Sequence, residues 1–132
     1  MNTKNGERLL IADDDPNLLA SYVAFFNAFN FEIRTATDGQ DALDLNRAWH
    51  PLIVMLDIQM PRLNGREVAA EIRARNKGEA PLLLAVSGLS GPAELAQSIN
   101  SGFNHHFVKP AQLPSLLAAM TAWQSVRSPK SS

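Results

Sequence analysis

Leu52-Ile53-Val54-Met55-Leu56-Asp57 is a run of five apolar residues closed by a carboxylate. Unbroken apolar character over that length reads as a strand covered on both faces, the condition of a parallel sheet sandwiched between helices. An aspartate at the end of such a run needs a reason, because burying a charge without a partner is costly. The form recurs along the chain. Leu9-Leu10-Ile11-Ala12 runs into Asp13-Asp14-Asp15, Leu82-Leu83-Leu84-Ala85-Val86 runs into Ser87, and the segment 103–108 runs into Lys109-Pro110. Four strands therefore finish in acid, acid, hydroxyl and ammonium. In an open parallel sheet the strand C-termini share one edge, and ligands bind there.

Helical segments separate these runs. Asp15-Pro16 offers an N-cap followed by a first-turn proline, predicting a helix over 17–29. Its stripe Leu18, Tyr22, Phe25 and Phe29 has core spacing. A second stripe, Leu19, Val23 and Phe26, is expected to face outward and to dock a partner's helical bundle. Asn30 can close the helix in the left-handed region. A strand over 31–36 and a helix over 41–48, with Ala42 and Leu45 inward, come next. After Asp57 a loop over 58–65 leads into a helix reaching about residue 75, with Val68, Ala69 and Ile72 toward the core. The helix over 93–101 has only Leu95, Ala96 and Ile99 to bury, so it should be the least firmly anchored. A last helix over 112–126 packs Leu113, Leu116, Leu117, Met120 and Trp123.

Strand and helix thus alternate five times. The expected fold is α/β, a doubly wound five-stranded parallel sheet of order 2-1-3-4-5 with five helices. Its switch point lies between strands one and three, the two that end in aspartates. One domain over 8–126 is expected, with flexible ends at 1–7 and 127–132; 132 residues are too few for two ordinary cores.

Composition narrows the function. A formal net charge of -1 provides no basic field for nucleic acid or an anionic membrane. The absence of cysteine excludes disulfides, thiolate metal sites and thiol catalysis. No apolar stretch approaches membrane-span length and no secretory signal opens the chain, so the cytoplasm is the expected location.

If Asp13, Asp14 and Asp57 converge, they repel. Two carboxylates about 4 Å apart cost roughly 4 kcal/mol at an effective dielectric near 20. Either one is protonated or a cation sits among them. An all-oxygen donor set prefers Mg²⁺, Mn²⁺ or Ca²⁺ over zinc. Ser87 and Lys109 add a hydroxyl and a point positive charge, which suit a phosphoryl group, and Asp57 is then the candidate nucleophile. His105-His106 does not read as a metal pair, since neighbours on a strand point to opposite faces; one is expected exposed and one half-buried. Trp49 and Trp123 read as packing residues.

Four pieces recur in order and spacing: Leu10-Ile11-Ala12-Asp13-Asp14-Asp15-Pro16; Leu56-Asp57-Ile58-Gln59-Met60-Pro61 with Asn64-Gly65; Ala85-Val86-Ser87-Gly88; and Gly102-Phe103-Asn104-His105-His106-Phe107-Val108-Lys109-Pro110. Together they resemble the CheY-like receiver domain of two-component response regulators, over residues 8–123. The resemblance implies a flavodoxin-like fold and a phosphoacceptor signalling domain, not an enzyme, that assists its own phosphorylation and dephosphorylation. It implies Asp57 as phosphoacceptor, and Mg²⁺ (Mn²⁺ as a substitute) held by Asp14, by Asp13 mainly through water, by Asp57 and by the backbone carbonyl of Gln59. Ser87 and Lys109 would bind phosphoryl oxygens, and Ser87 with His106 would form the switch, the ring turning inward on activation. Gly88 departs from the alanine common after the hydroxyl residue. The implied partner is a histidine kinase or histidine phosphotransfer protein. A stand-alone regulator is the preferred reading, with a receiver of a hybrid histidine kinase as the alternative.

Rival readings share the fold. An aspartyl-nucleophile phosphatase of the haloacid dehalogenase type would want a second acid where Gln59 stands. A flavodoxin-like FMN binder would not place three aspartates against a phosphate. A degenerate receiver serving only as a binding module would not need the full acidic set.

Overall fold

The computed structural model describes residues 6–76, 78 and 80–127. The elements are β1 (Glu7–Ala12), α1 (Pro16–Phe26), β2 (Phe31–Ala36), α2 (Gly39–Trp49), β3 (Ile53–Asp57), α3 (Gly65–Arg75), β4 (Leu82–Ser87), α4 (Pro92–Ser101), β5 (His105–Val108) and α5 (Leu113–Arg127). The strands form one parallel sheet in the order β2-β1-β3-β4-β5, as the alternation predicts. β1 starts at Glu7 and α5 runs through Arg127, each one residue into a segment expected to be flexible; residues 1–5 and 128–132 lie outside the described residues.

The two-residue repeat of the strands builds two cores. Leu10, Val54, Leu56, Leu83 and Ala85 face α2 and α3, meeting Ala42, Leu43, Val68 and Ile72. Leu9, Ile11, Met55, Leu84 and Val86 face α1 and α5, meeting Leu19, Tyr22, Phe26, Leu116 and Met120. β3 is central and buried at every residue. Trp49 is buried, with the Arg34 guanidinium 4.8 Å above its ring, and Trp123 is half-buried.

Two expectations are corrected. The helix predicted over 17–29 ends at Phe26 and continues as one 3-10 turn, Asn27–Phe29, before Asn30 enters the left-handed region at φ 63°. Its buried face is Leu19, Tyr22 and Phe26, whereas Leu18 and Phe25 are half-buried and Phe29 is exposed. Leu19 and Phe26 are thus core and present nothing to a partner; Val23 is half-buried beside them. Helical periodicity allows either stripe inward, and both are apolar, so only the sheet decides between them. In α4, Leu95 and Ile99 are exposed and Ser98 is the buried residue, the reverse of the expected polarity.

Phe26→Ala should lower unfolding stability by about 3–5 kcal/mol, and Val23→Ala by no more than about 1 kcal/mol, measured as urea midpoints. Similar losses at both positions would mean that α1 does not face the sheet in this way.

Candidate functional site

β1 and β3 run side by side with Ala12 opposite Leu56, so the next residue of each strand, Asp13 and Asp57, reaches the C-terminal edge together. Alternation sends both toward the α1 and α5 side. One carboxylate oxygen from each of Asp13, Asp14 and Asp57 lies within 4.8 Å of the others. Asp13 and Asp57 are 1% and 4% exposed, whereas Asp14 faces solvent.

Lys109 binds the two buried acids together. Its Nζ lies 3.1 Å from Asp13 Oδ2 and 3.3 Å from Asp57 Oδ2. The residue is held there by its backbone N–H, which donates to the Ser87 carbonyl at 2.8 Å, beyond the end of β5. The remaining carboxylate oxygens shape the loops. Asp13 Oδ1 accepts from Asp15 N at 2.9 Å, and Asp15 caps α1 through Asn17 N and Leu18 N. Asp57 Oδ1 accepts from Gln59 N at 3.1 Å. The loop after β3 turns back so closely that a Cβ on Gly65 would sit 2.5 Å from the Asp57 carbonyl oxygen. Asn64 and Glu67 close a capping box on α3. Arg62 ties this loop to Asp38 at 3.2 Å.

Ser87 is fully buried, and alternation places it on the α3 side of the sheet. Its Oγ accepts from Leu89 N at 3.0 Å. His106 is half-buried and His105 exposed, as expected for neighbours on a strand. The His106 ring already points inward, with Nε2 3.0 Å from the Leu89 carbonyl and Nδ1 2.7 Å from Ser98 Oγ. An inward swing upon activation therefore has no outward starting point here.

The electrostatics follow from burial. Desolvation first, and Asp13 second, raise the Asp57 pKa, against the Lys109 charge and the Gln59 N–H. Burial works to lower the Lys109 pKa, but its hydrogen bond to Asp13 and the charges of Asp57 and Asp13 outweigh it, so the pKa rises and the ammonium is retained. The Tyr22 phenol is pushed up to about 12 by burial and then by Asp13, Asp57 and Asp15, which keeps it neutral beside the acids. Three ionised carboxylates against one ammonium leave two negative charges uncompensated. An oxygen-only donor set with that excess fits a hard divalent cation.

A model of the response regulator receiver domain matches residues 9–121. The chain belongs to this family. The match is to a receiver domain and not to a classical enzyme. Response regulator MprA of Mycolicibacterium vanbaalenii is 32% identical over 115 residues, covering 87% of this chain and 49% of that protein. Transcriptional regulatory protein PrrA of Mycobacterium tuberculosis is 33% identical over 115 residues, covering 87% and 48%. The chain thus spans about half the length of these relatives. The signal receiver domain of a response regulator described as NarL, from Mycobacterium tuberculosis, superposes with a TM-score of 0.82 at 26% identity, covering 91% of this chain and 97% of that one. A CheY-like receiver domain protein from Methanospirillum hungatei has the same fold, with a TM-score of 0.84 at 21% identity over 92% and 95% of the two chains.

By its helical spacing Tyr22 reads as a packing residue, and Arg62, Arg66 and Ser98 belong to no motif in the sequence. Tyr22 carried a detectable signal, being the one residue of its stripe with a polar tip. The other three act between elements distant in sequence, and nothing local marks them.

Asp57 has its pKa raised on folding, so its contribution to stability is full below the unfolded value, about 3.9, and is lost as pH rises through the folded value. Asp57→Asn should therefore unfold at higher temperature than wild type at pH 7, by a few degrees or on the order of 1 kcal/mol, with the gap closing near pH 3. Thermal melts across pH without divalent cations check this. A variant less stable at pH 7 would contradict the sign.

Proposed function

We propose that Asp57 accepts a phosphoryl group from a phosphohistidine donor and that the resulting acyl phosphate changes the state of the domain. The observation that carries this is the Lys109 ammonium shared between Asp13 and Asp57 at the sheet edge. One Asp57 oxygen attacks phosphorus; the new O–P bond forms as the P–N bond to the donor imidazole breaks, and that imidazole keeps the electron pair. Lys109 stays as counter-charge to a phosphoryl oxygen, and the Ser87 hydroxyl donates to another. Asp13, Asp14, Asp57 and the Gln59 carbonyl are the ligands we assign to Mg²⁺, with Mn²⁺ as a substitute. Bound there, the ion supplies the positive charge that lets two anions approach.

The partner we assign is a histidine kinase or histidine phosphotransfer protein. A groove lined by Leu18, Ser21, Tyr22, Ala111 and Leu113 opens beside Lys109 and is the place for it, instead of the Leu19, Val23 and Phe26 stripe. No helix among the described residues is long and apolar enough to cross a membrane. With a net charge of -1, this supports our reading of a cytoplasmic domain that does not itself bind nucleic acid.

Incubation with acetyl phosphate and Mg²⁺ should add one phosphoryl group to the wild type by intact mass and none to Asp57→Asn. Chelating the metal should abolish the gain, and Lys109→Ala should slow it about a hundredfold. A gain that survives Asp57→Asn would sink the assignment. Ser21→Arg should slow transfer from a phosphohistidine donor about tenfold or more while sparing labelling by acetyl phosphate; equal loss of both would remove the docking site.

A further inference from the structure

A cavity of about 1070 Å³ opens at the opposite edge of the sheet, where β3 and β4 begin, with Leu52 and Pro81 among its walls. Three arginines line it: Arg47 near the end of α2, Arg75 at the end of α3 and Arg127 at the end of α5. No carboxylate lines it among the described residues. The five residues of β3 stand between this cavity and the Asp57 carboxylate, so the two sites are separate.

The charge of these arginines is loosely compensated. Arg47 Nη1 lies 3.8 Å from Asp44, and Arg75 Nε lies 3.8 Å from Glu71, both beyond hydrogen-bond reach. Arg127 rests 4.8 Å above the Trp123 ring, a contact that uses none of its N–H donors. A helix dipole favours a cation in the last turn, which would place an arginine at any helix end. The distribution is narrower than that. α1 and α4 carry no basic residue in the last turn; α2, α3 and α5 do, and theirs are the ends that surround the cavity.

Asn46 is an independent sign. α2 turns it inward with Ala42, Leu43 and Trp49, leaving it 7% exposed, and it borders the cavity. Its backbone carbonyl accepts from His50 N at 3.0 Å, but its side-chain amide has no hydrogen-bond partner among the described residues. Polar groups buried to that degree are normally paired.

We propose that this cavity binds an adenine nucleotide, the arginines taking the phosphate oxygens and Asn46 the edge of the base. Guanidinium forks match phosphate in both geometry and charge. An asparagine amide offers a donor and an acceptor side by side, the complement of the adenine edge. Leu52 and Pro81 supply apolar surface for the flat ring. The volume suits a ligand of this size, whereas a lone phosphate would leave most of it unfilled. Binding here needs neither Asp57 nor a divalent cation.

Titration of the full chain with ADP in EDTA, followed by calorimetry and by backbone amide NMR shifts, tests the site. Shifts should cluster at residues 46–52, 80–82 and 126–127, with the Asp57 edge unmoved. Adenosine and pyrophosphate each offer part of the contacts and should bind about tenfold more weakly or worse. GDP presents two acceptors in place of adenine's donor and acceptor, and should also bind more weakly. Arg75→Ala and Arg127→Ala, at exposed positions that the fold does not need, should each weaken ADP about tenfold, and Arg75→Lys should recover only part of that. Asn46→Leu keeps the size and removes the amide; it should bring ADP down toward pyrophosphate and leave pyrophosphate binding unchanged. Every variant should take up phosphoryl from acetyl phosphate as wild type does. No binding of ADP, shifts confined to the Asp57 edge, GDP or pyrophosphate binding as tightly as ADP, or unchanged ADP affinity in the two alanine variants would overturn the proposal.

Discussion

The shared Lys109 ammonium is the interaction on which the rest of this edge depends. Two carboxylates that are nearly solvent-free cannot lie side by side ionised without a positive charge between them. Three strand ends must deliver those groups, so the constraint reaches back into the sheet. β1 and β3 have to be neighbours, and the Lys109 side chain has to reach past the end of β4, beside which its backbone N–H is fixed by the Ser87 carbonyl. Burial heightens every charge effect here, because the low-dielectric surroundings screen it less than water would. The same excess of negative charge that weakens the fold is what makes the site receptive to a divalent cation.

The two sides of the sheet carry different duties. On the α1 and α5 side are the acids, the neutral Tyr22 phenol and the groove beside Lys109. On the other side Ser87 faces a polar assembly instead of a hydrophobic one. α2 and α3 are fastened by ordinary apolar packing, whereas α4 hangs on Arg66 and His106. A helix held by a few hydrogen bonds can respond to a change in one of them; a helix held by many dispersed contacts cannot.

The fold was legible because its signal is redundant. Five strand runs, their turn residues and their order all point to one topology, and each acid or base at a strand end agrees with it. The faces of two helices were not legible, for opposite reasons. α1 is apolar on both candidate stripes, so its pattern underdetermines its rotation. α4 has a pattern that points the wrong way, because Leu95 and Ile99 look like core residues while a serine is taken into the interior through Arg66 and His106. Those partners lie 32 and 8 residues away from Ser98. Likewise Gly65 stands out as a loop glycine, but only three dimensions reveal that the Asp57 carbonyl occupies the space a side chain would need.

The complete enclosure of β3 constrains how this molecule can change over evolutionary time. Each of its four apolar residues, Ile53 to Leu56, belongs to one core or the other by parity alone. Exchanges of one aliphatic side chain for another are absorbed by local repacking. Gain or loss of a single codon within the strand is different: it would transpose the two interiors and rotate the terminal carboxylate to the wrong side. Descendants of this chain should therefore vary freely in the identity of those apolar residues and hardly at all in their number.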